Sequence, residues 1–229
     1  MPSVRPLSQP SHSGTAWLNG AVGRRLVADV QRMAVPELTR VFGQHGLYMR
    51  PIEGLPPELS GNMLANVLSL YREDGQLAGQ LKCLDVELPV SSSSLSLVYC
   101  LFMLETSPEP AFLVHEIARA LKPEGVAMLI SLNPWSPTRL RWLLESSRAT
   151  STFSIDKMAR DAGLEVMRRQ HLGPVWPIAA ERATSNAHSH WVDGLRAASM
   201  VVLRRRDPGL TPLRKVSPAV SMRPGMSAG

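Results

Sequence analysis

Cysteine is scarce in this chain, with only Cys83 and Cys100 among 229 residues. Both fall on stretches that read as strands of one sheet. That argues against a disulfide framework or a thiolate metal site, and for buried thiols in a reducing compartment. Long apolar runs are missing too: nothing approaches the ~20 residues that a membrane-spanning helix requires. Residues 1–14 are rich in Pro and Ser and carry no apolar segment, which is not the pattern of a secretory signal. No Gly-x-Ser-x-Gly elbow, Walker loop or Cys–His pair occurs, so those hydrolase and nucleotidase chemistries lack their residues. His45, His115, His171, His188 and His190 invite a metal or general-base reading. His115, however, stands beside Glu116 and Arg119 on a helix face that reads as solvated. His188-Ser189-His190 has no acids at ligand spacing, so no zinc site is expected.

What is present is an ordinary globular composition, 44% apolar and 19% charged, enough for a sizeable core. The net charge of +6 is unevenly placed. From Arg204 onward there are six cations (Arg204, Arg205, Arg206, Arg214, Lys215, Arg223) against Asp207 alone, leaving the remainder nearly neutral. The basic character thus reads as that of a Pro/Gly/Ser tail, 206–229, expected to be solvated and disordered. Such a tail fits a weak, salt-sensitive electrostatic tether, and a nucleic-acid partner is not expected. A disordered leader, 1–16, precedes one folded unit, 17–205, and no internal repeat is visible.

Hydrophobic spacing predicts the elements. Leu26, Val30 and Met33 repeat at helical intervals within Leu18–Phe42, with Pro36 expected to kink or restart the helix. Gly43-Gln44-His45-Gly46 reads as its stop, before a short strand, Leu47–Arg50, and a loop, Pro51–Pro57. Leu64–Tyr71 fits both periods; the turn residues Arg72-Glu73-Asp74-Gly75 after it favour a strand. Leu81–Leu84 reads as a short strand ending on Asp85. Ser94–Leu101 is a continuous apolar run, as a strand covered on both faces requires. Pro108-Glu109-Pro110 opens a helix with Leu113, Ile117 and Leu121 on one face, stopped by Lys122-Pro123-Glu124-Gly125. A strand, Val126–Leu132, follows. Further expectations are a helix over Pro137–Ser147, a short helix capped by Ser154, and a strand Leu164–Arg168. Trp176–Trp191 reads as a lid or long connection, and Ala198–Leu203 as the last strand.

Strand, strand, helix, strand, with an acid at one strand exit, is the second half of a nucleotide-type α/β sheet. From Leu81 to Trp135 this order resembles the class I, Rossmann-like S-adenosylmethionine-dependent methyltransferases. The match is strongest over 81–145 and extends to about 45–215. Asp85-Val86-Glu87-Leu88-Pro89 resembles the family's Asp-x-x-x-Leu-Pro, which implies that Asp85 accepts a hydrogen bond from the adenine amino group beside Val86. A plain turn cap is the other reading of Asp85. Leu104-Glu105 resembles the segment bordering the methyl-acceptor side, with Phe102 as a pocket wall or as core. Asn133-Pro134-Trp135-Ser136, trailed by Arg139, Leu140, Arg141 and Leu143, resembles a bacterial subgroup of methyltransferase-like proteins. Gly209–Arg214 resembles that subgroup's C-terminal tail.

The departure lies at the first strand. The family places Gly-x-Gly-x-Gly there, because only glycine lets backbone amides approach the methionine carboxylate and ribose. Here the segment is Leu47-Tyr48-Met49-Arg50-Pro51-Ile52-Glu53-Gly54. Pro51 removes an amide, and Arg50 offers a side chain in its place, whether for a carboxylate or for a solvated or internal ion pair. Glu73 or Asp74 stands where the family's ribose-binding acid would, or simply in a turn.

The expected fold is therefore a single α/β domain, Rossmann-like, with a mostly parallel sheet of about seven strands and helices on both faces. The resemblance implies S-adenosylmethionine as cofactor, an unspecified methyl acceptor, and a cytoplasmic protein without a membrane partner. The cofactor-side residues would be Asp85, Val86, Phe102, Glu73, Asp74 and Arg50, and the substrate side Glu105, Asn133 and Trp135. Methyl transfer needs little acid–base help, because the sulfonium is already activated and positioning carries most of the effect. The alternative is a catalytically inactive methyltransferase-fold scaffold that has lost the cofactor.

Overall fold

The structure is a computed structural model that describes residues 17–137, 150–175 and 193–206. Seven strands form one sheet: β1 (Phe42–Arg50), β2 (Met63–Glu73), β3 (Gln76–Gly79), β4 (Leu95–Leu101), β5 (Leu121–Leu132), β6 (Leu164–Leu172) and β7 (Ala198–Arg205). Their spatial order is β3-β2-β1-β4-β5-β7-β6. The pairs β1–β2, β1–β4 and β4–β5 are parallel, while β3 and β7 run against their neighbours. The fold is thus the expected α/β type, with a mostly parallel seven-stranded sheet. Its topological switch point lies between β1 and β4.

Helix α1 (Ala21–Leu38) covers one face, and α2 (Pro110–Ala120) with α3 (Thr152–Asp161) covers the other. Leu26, Val27, Val30, Ala34 and Leu38 form the buried stripe of α1. They pack on a core that includes Tyr48, Tyr99, Met128 and Val202. The opposite core holds Met49, Val98, Cys100 and Leu129 under Leu113, Val114 and Ile117 of α2, with Ile155 of α3. The unbroken apolar run of β4 follows from this: all seven of its residues are buried because both faces are covered. Glu37, at the end of α1, accepts from Arg168 Nη1 at 2.8 Å and Gln170 Nε2 at 3.0 Å, tying that helix to β6.

Several expectations are corrected. Gly43 and Gly46 do not stop a helix; they lie inside β1, which begins at Phe42. A Cβ on Gly43 would meet Ser96 Oγ at 2.0 Å, so the glycine serves close strand packing. Pro36 does not restart a helix but sits in the last turn of α1, which closes with the Thr39 amide donating to Val35 O. The third strand is not Leu81–Leu84 but Gln76–Gly79, a hairpin partner of β2. Asp74 and Gly75, at φ +49° and +79°, make its two-residue turn, the geometry for which Asp-Gly is suited. Cys83 consequently lies beyond the sheet proper, half-buried and bridged only to Leu77, while Cys100 is buried on β4; both are free thiols. α3 is capped by Ser151, whose Oγ accepts the Ser154 amide at 3.2 Å, three residues before the expected cap. β6 continues to Leu172, beyond the expected Arg168. The expected helix over 137–147 and the connection over 176–191 lie almost wholly outside the described residues, as do the leader and the tail beyond Arg206.

Three of the cations assigned to the basic tail are structural. Arg204 pairs with Glu124 at 3.0 Å, and Arg206 with Glu165 at 2.9 Å. Arg205 Nη1 donates to the carbonyls of Ala118, Arg119 and Leu121, a cationic cap on the C-terminus of α2. No described helix is long and apolar enough to cross a membrane.

Candidate functional site

Parallel α/β sheets bind ligands outside the C-terminal ends of their strands, at the switch point. Here that edge is formed by Arg50, Glu73, Leu101 and Leu132, the last residues of β1, β2, β4 and β5, with the segments that follow them. Between β1 and β2 the crossover is irregular and contains no helix, and a tight hairpin follows β2. The loop after β1 is anchored to the core through Ile52 and Leu55.

Arg50 is 6% exposed and turns back on that loop. Its Nη1 donates to Glu53 O at 2.6 Å and to the Leu55 carbonyl, while the guanidinium lies over the Tyr71 ring, 5.3 Å from its centroid. Asp85 is 4% exposed. Arg72 grips both its oxygens, Nη2 to Oδ2 at 2.8 Å and Nη1 to Oδ1, and Ser107 Oγ donates to Oδ2 at 2.6 Å. Arg72 Nη1 also reaches Gly75 O at 3.2 Å, so the pair fastens the hairpin turn to the loop after β4. Next to it, burial pushes the Cys83 thiol up to about 11, with Asp85 adding to the rise and Arg72 opposing it.

Glu105 links the exits of β4 and β5. Its Oε1 accepts the Leu132 amide at 2.7 Å, while Oε2 is buried without a hydrogen-bond partner among the described residues. The residue as a whole is half-buried, its carboxylate being the enclosed part, and that burial raises its pKa to about 8. Phe102 sits at φ +50°, a left-handed conformation unusual for an aromatic residue, and is packed in the α1-side core. Its amide donates to Ile130 O at 2.8 Å, so the chain turns out of β4 while still bonded to β5.

The other candidates are placed as follows. Asn133 is buried and spends its side chain on structure: Nδ2 donates to Gly194 O and Arg196 O, both at 2.8 Å, and Oδ1 accepts the Trp135 amide. Trp135 is 78% exposed. Glu73 pairs with Lys82 at 3.1 Å, Asp74 lies exposed in the turn, and Val86 is 47% exposed. Arg50 and Phe102 thus lie with the α1-side core. Asp85 and Glu105 both act on the Cys100 thiol, in the opposite core, and help burial raise it. Arg72 and Ser107 were not expected at the site. Arg72 could have been suspected as a cation near the exit of a strand; Ser107 carries no such signal.

Residues 28–129 match the family model described as "Methyltransferase domain". The structure resembles a SAM-dependent methyltransferase from Aquifex aeolicus: TM-score 0.53, 14% identity, 85% of this chain and 98% of that one. A SAM-dependent methyltransferase from Thermotoga maritima gives a TM-score of 0.54 at 13% identity, over 83% and 93% of the two chains. One from Mesorhizobium loti gives 0.50 at 12%, over 79% and 100%. No curated protein matches the sequence. This is a class I methyltransferase-like fold.

In that fold the edge described above is where S-adenosylmethionine would be expected, and the residues present do not fit it in the family's manner. Pro51 has no amide to give, and the buried Arg50 already satisfies loop carbonyls where a backbone cradle should be open. Both oxygens of Asp85 are engaged by Arg72 and Ser107. Two surface grooves of about 450 and 370 Å³ lie at the opposite edge of the sheet, around Gly163. Among the described residues, no cluster of His, Cys, Asp or Glu could hold a metal ion.

Proposed function

We propose that this methyltransferase-like chain is, in general terms, a SAM-dependent methyltransferase acting on an acceptor of undetermined class. The reading is carried by the strand order, which puts Asp85 and Glu105 near the switch-point edge in a chain whose β1–β5 portion matches a methyltransferase model. Asp85 with Val86 would meet the adenine, Glu73 or Asp74 the ribose, and Arg50 the carboxylate. Phe102 would wall the cofactor side, with Glu105, Asn133 and Trp135 toward the acceptor. Calorimetric titration of the purified chain with S-adenosylmethionine tests this. Binding that Asp85→Ala abolishes supports it.

A specific observation favours a second reading: the engaged states of Arg50 and Asp85 also suit a methyltransferase-fold scaffold that has lost the cofactor. Under that reading no heat is released even at millimolar cofactor, and the chain works through partner contacts.

A further inference from the structure

We propose that the bare outer edge of β2, from Met63 to Leu68, joins two copies of this chain, their β2 strands pairing antiparallel about Asn66. The inference does not depend on whether the cofactor binds. β2 runs from Met63 to Glu73, but β3 covers its outer side only from Leu70 to Glu73. Before Leu70 its only strand partner among the described residues is β1, on the inner side. Asn62 Oδ1 accepts the Leu64 amide at 3.0 Å; apart from that local bond, no described residue outside β1 bonds the backbone of this stretch.

Free strand edges are normally blunted, because their open amides and carbonyls recruit other strands. The rest of this sheet follows that rule. β6, the edge strand on the far side, carries exposed Glu165, Arg168 and Arg169 and a bulge between Val166 and Arg168. β3 has its outer side closed by Cys83, which exchanges two amide-to-carbonyl bonds with Leu77, both at 2.8 Å. Because Leu77 turns its backbone groups toward Cys83, Tyr71 and Ala78 form the hydrogen-bonded pair between β2 and β3. The two-residue period then aims the amide and carbonyl of Val67 outward. β2 has none of these safeguards: no residue from Leu59 to Tyr71 is charged, and none from Met63 to Leu68 is proline. Met63, Ala65 and Asn66 are exposed, and Phe42, in register with Met63 on β1, is 68% exposed. A second copy is the occupant that matches this edge. A two-fold axis at Asn66 sets Leu64 opposite Leu68 and Ala65 opposite Val67, so apolar meets apolar and no like charges face each other. It also leaves each copy's β3, which starts opposite Leu70, past the Met63 end of its partner's strand.

The test is sedimentation equilibrium of the full chain, from micromolar to hundreds of micromolar, on wild type, Asn66→Lys and Asn66→Glu, each first shown to melt cooperatively. If Asn66→Lys fails to fold, the pair Ala65→Lys and Ala65→Glu, at the other exposed position beside the axis, replaces it. Wild type is expected to reach twice the mass of one chain. Each variant alone should dimerise at least tenfold more weakly, because like charges then face each other across the axis. An equimolar mixture of the Lys and Glu variants should recover the wild-type affinity. A wild type that stays monomeric throughout overturns the proposal. So does a dimer that Asn66→Lys leaves intact, which places the joint elsewhere. Variants that dissociate yet do not recombine when mixed overturn the pairing about Asn66.

Discussion

Glu105 Oε1 accepts the amide of Leu132 at 2.7 Å, joining the segment after β4 to the last residue of β5. The bond spans 27 positions of sequence and fixes the spacing of two neighbouring strand ends at the candidate site. It leaves Oε2 buried and without a partner among the described residues. One carboxylate thus serves as a structural acceptor, and the desolvation of its burial outweighs the backbone amides of Leu132, Glu105 and Thr150 that favour its charged form.

That cost has a definite pH dependence. Burial raises the Glu105 pKa from 4.5 to about 8, so between those values the folded chain holds a proton that the unfolded chain has released. Stability therefore falls as pH rises through this window, the reverse of an ion-paired carboxylate. With partial exposure discounted, the loss should be roughly 2–4 kcal/mol. Glu105→Gln keeps an oxygen for the Leu132 amide and removes the titration. Urea unfolding at pH 5 and pH 9 should show the variant more stable than wild type at pH 9, with a flatter pH profile. A wild type at least as stable at pH 9 as at pH 5 would refute the assignment.

Arg72 and Asp85 call for a different experiment, because both charges are buried. Removing one partner strands the other, so Asp85→Ala should cost about 3–5 kcal/mol. Replacing both with apolar residues of similar size, Arg72→Met with Asp85→Leu, removes the stranded charge and should recover most of that loss. Denaturant unfolding of Arg72→Met, Asp85→Leu and the double measures the coupling. Additive losses would mean that the two side chains do not depend on each other.

The sheet was largely readable in advance, and the reasons are local. Leu95–Leu101 could only be a strand covered on two faces, because nothing polar interrupts it except Ser96, which is itself buried. Leu113 and Ile117 marked the inner face of α2 by spacing alone. The position of β3 is hidden because the apolar run Leu81–Leu84 is a stronger strand signal than the short segment after the Asp74-Gly75 turn. Leu81 and Leu84 proved about half exposed, whereas Leu77 and Ala78 are buried. The site was less legible. The residue type and position of Asp85 suggested its role, but its two side-chain partners, Arg72 and Ser107, lie 13 and 22 positions away. The Glu37–Arg168 contact spans 131 positions. Contacts of that kind are decided by packing and leave no periodic trace in sequence.

The glycines of β1 supply a last test, since their sequence suggests a helix stop whereas the structure makes them packing positions. A Cβ on Gly43 would stand 2.0 Å from Ser96 Oγ and 2.4 Å from Ser96 Cβ. The second of these atoms is fixed to the β4 backbone and cannot swing aside, so Gly43→Ala must push the strands apart. The expected cost is about 1–3 kcal/mol. At Gly46 the nearest obstacle is Leu64 Cδ1, at 2.4 Å, the tip of a side chain that can rotate away. Relief there, with the roughly 0.4–1 kcal/mol gained by restricting the unfolded chain, should leave Gly46→Ala nearer neutral. Ser96→Gly removes both obstructing atoms, so combining it with Gly43→Ala should cost less than the two single losses summed. Urea midpoints of the four variants decide the matter: equal losses at Gly43 and Gly46, or no rescue by Ser96→Gly, would show that strand contact does not select these glycines.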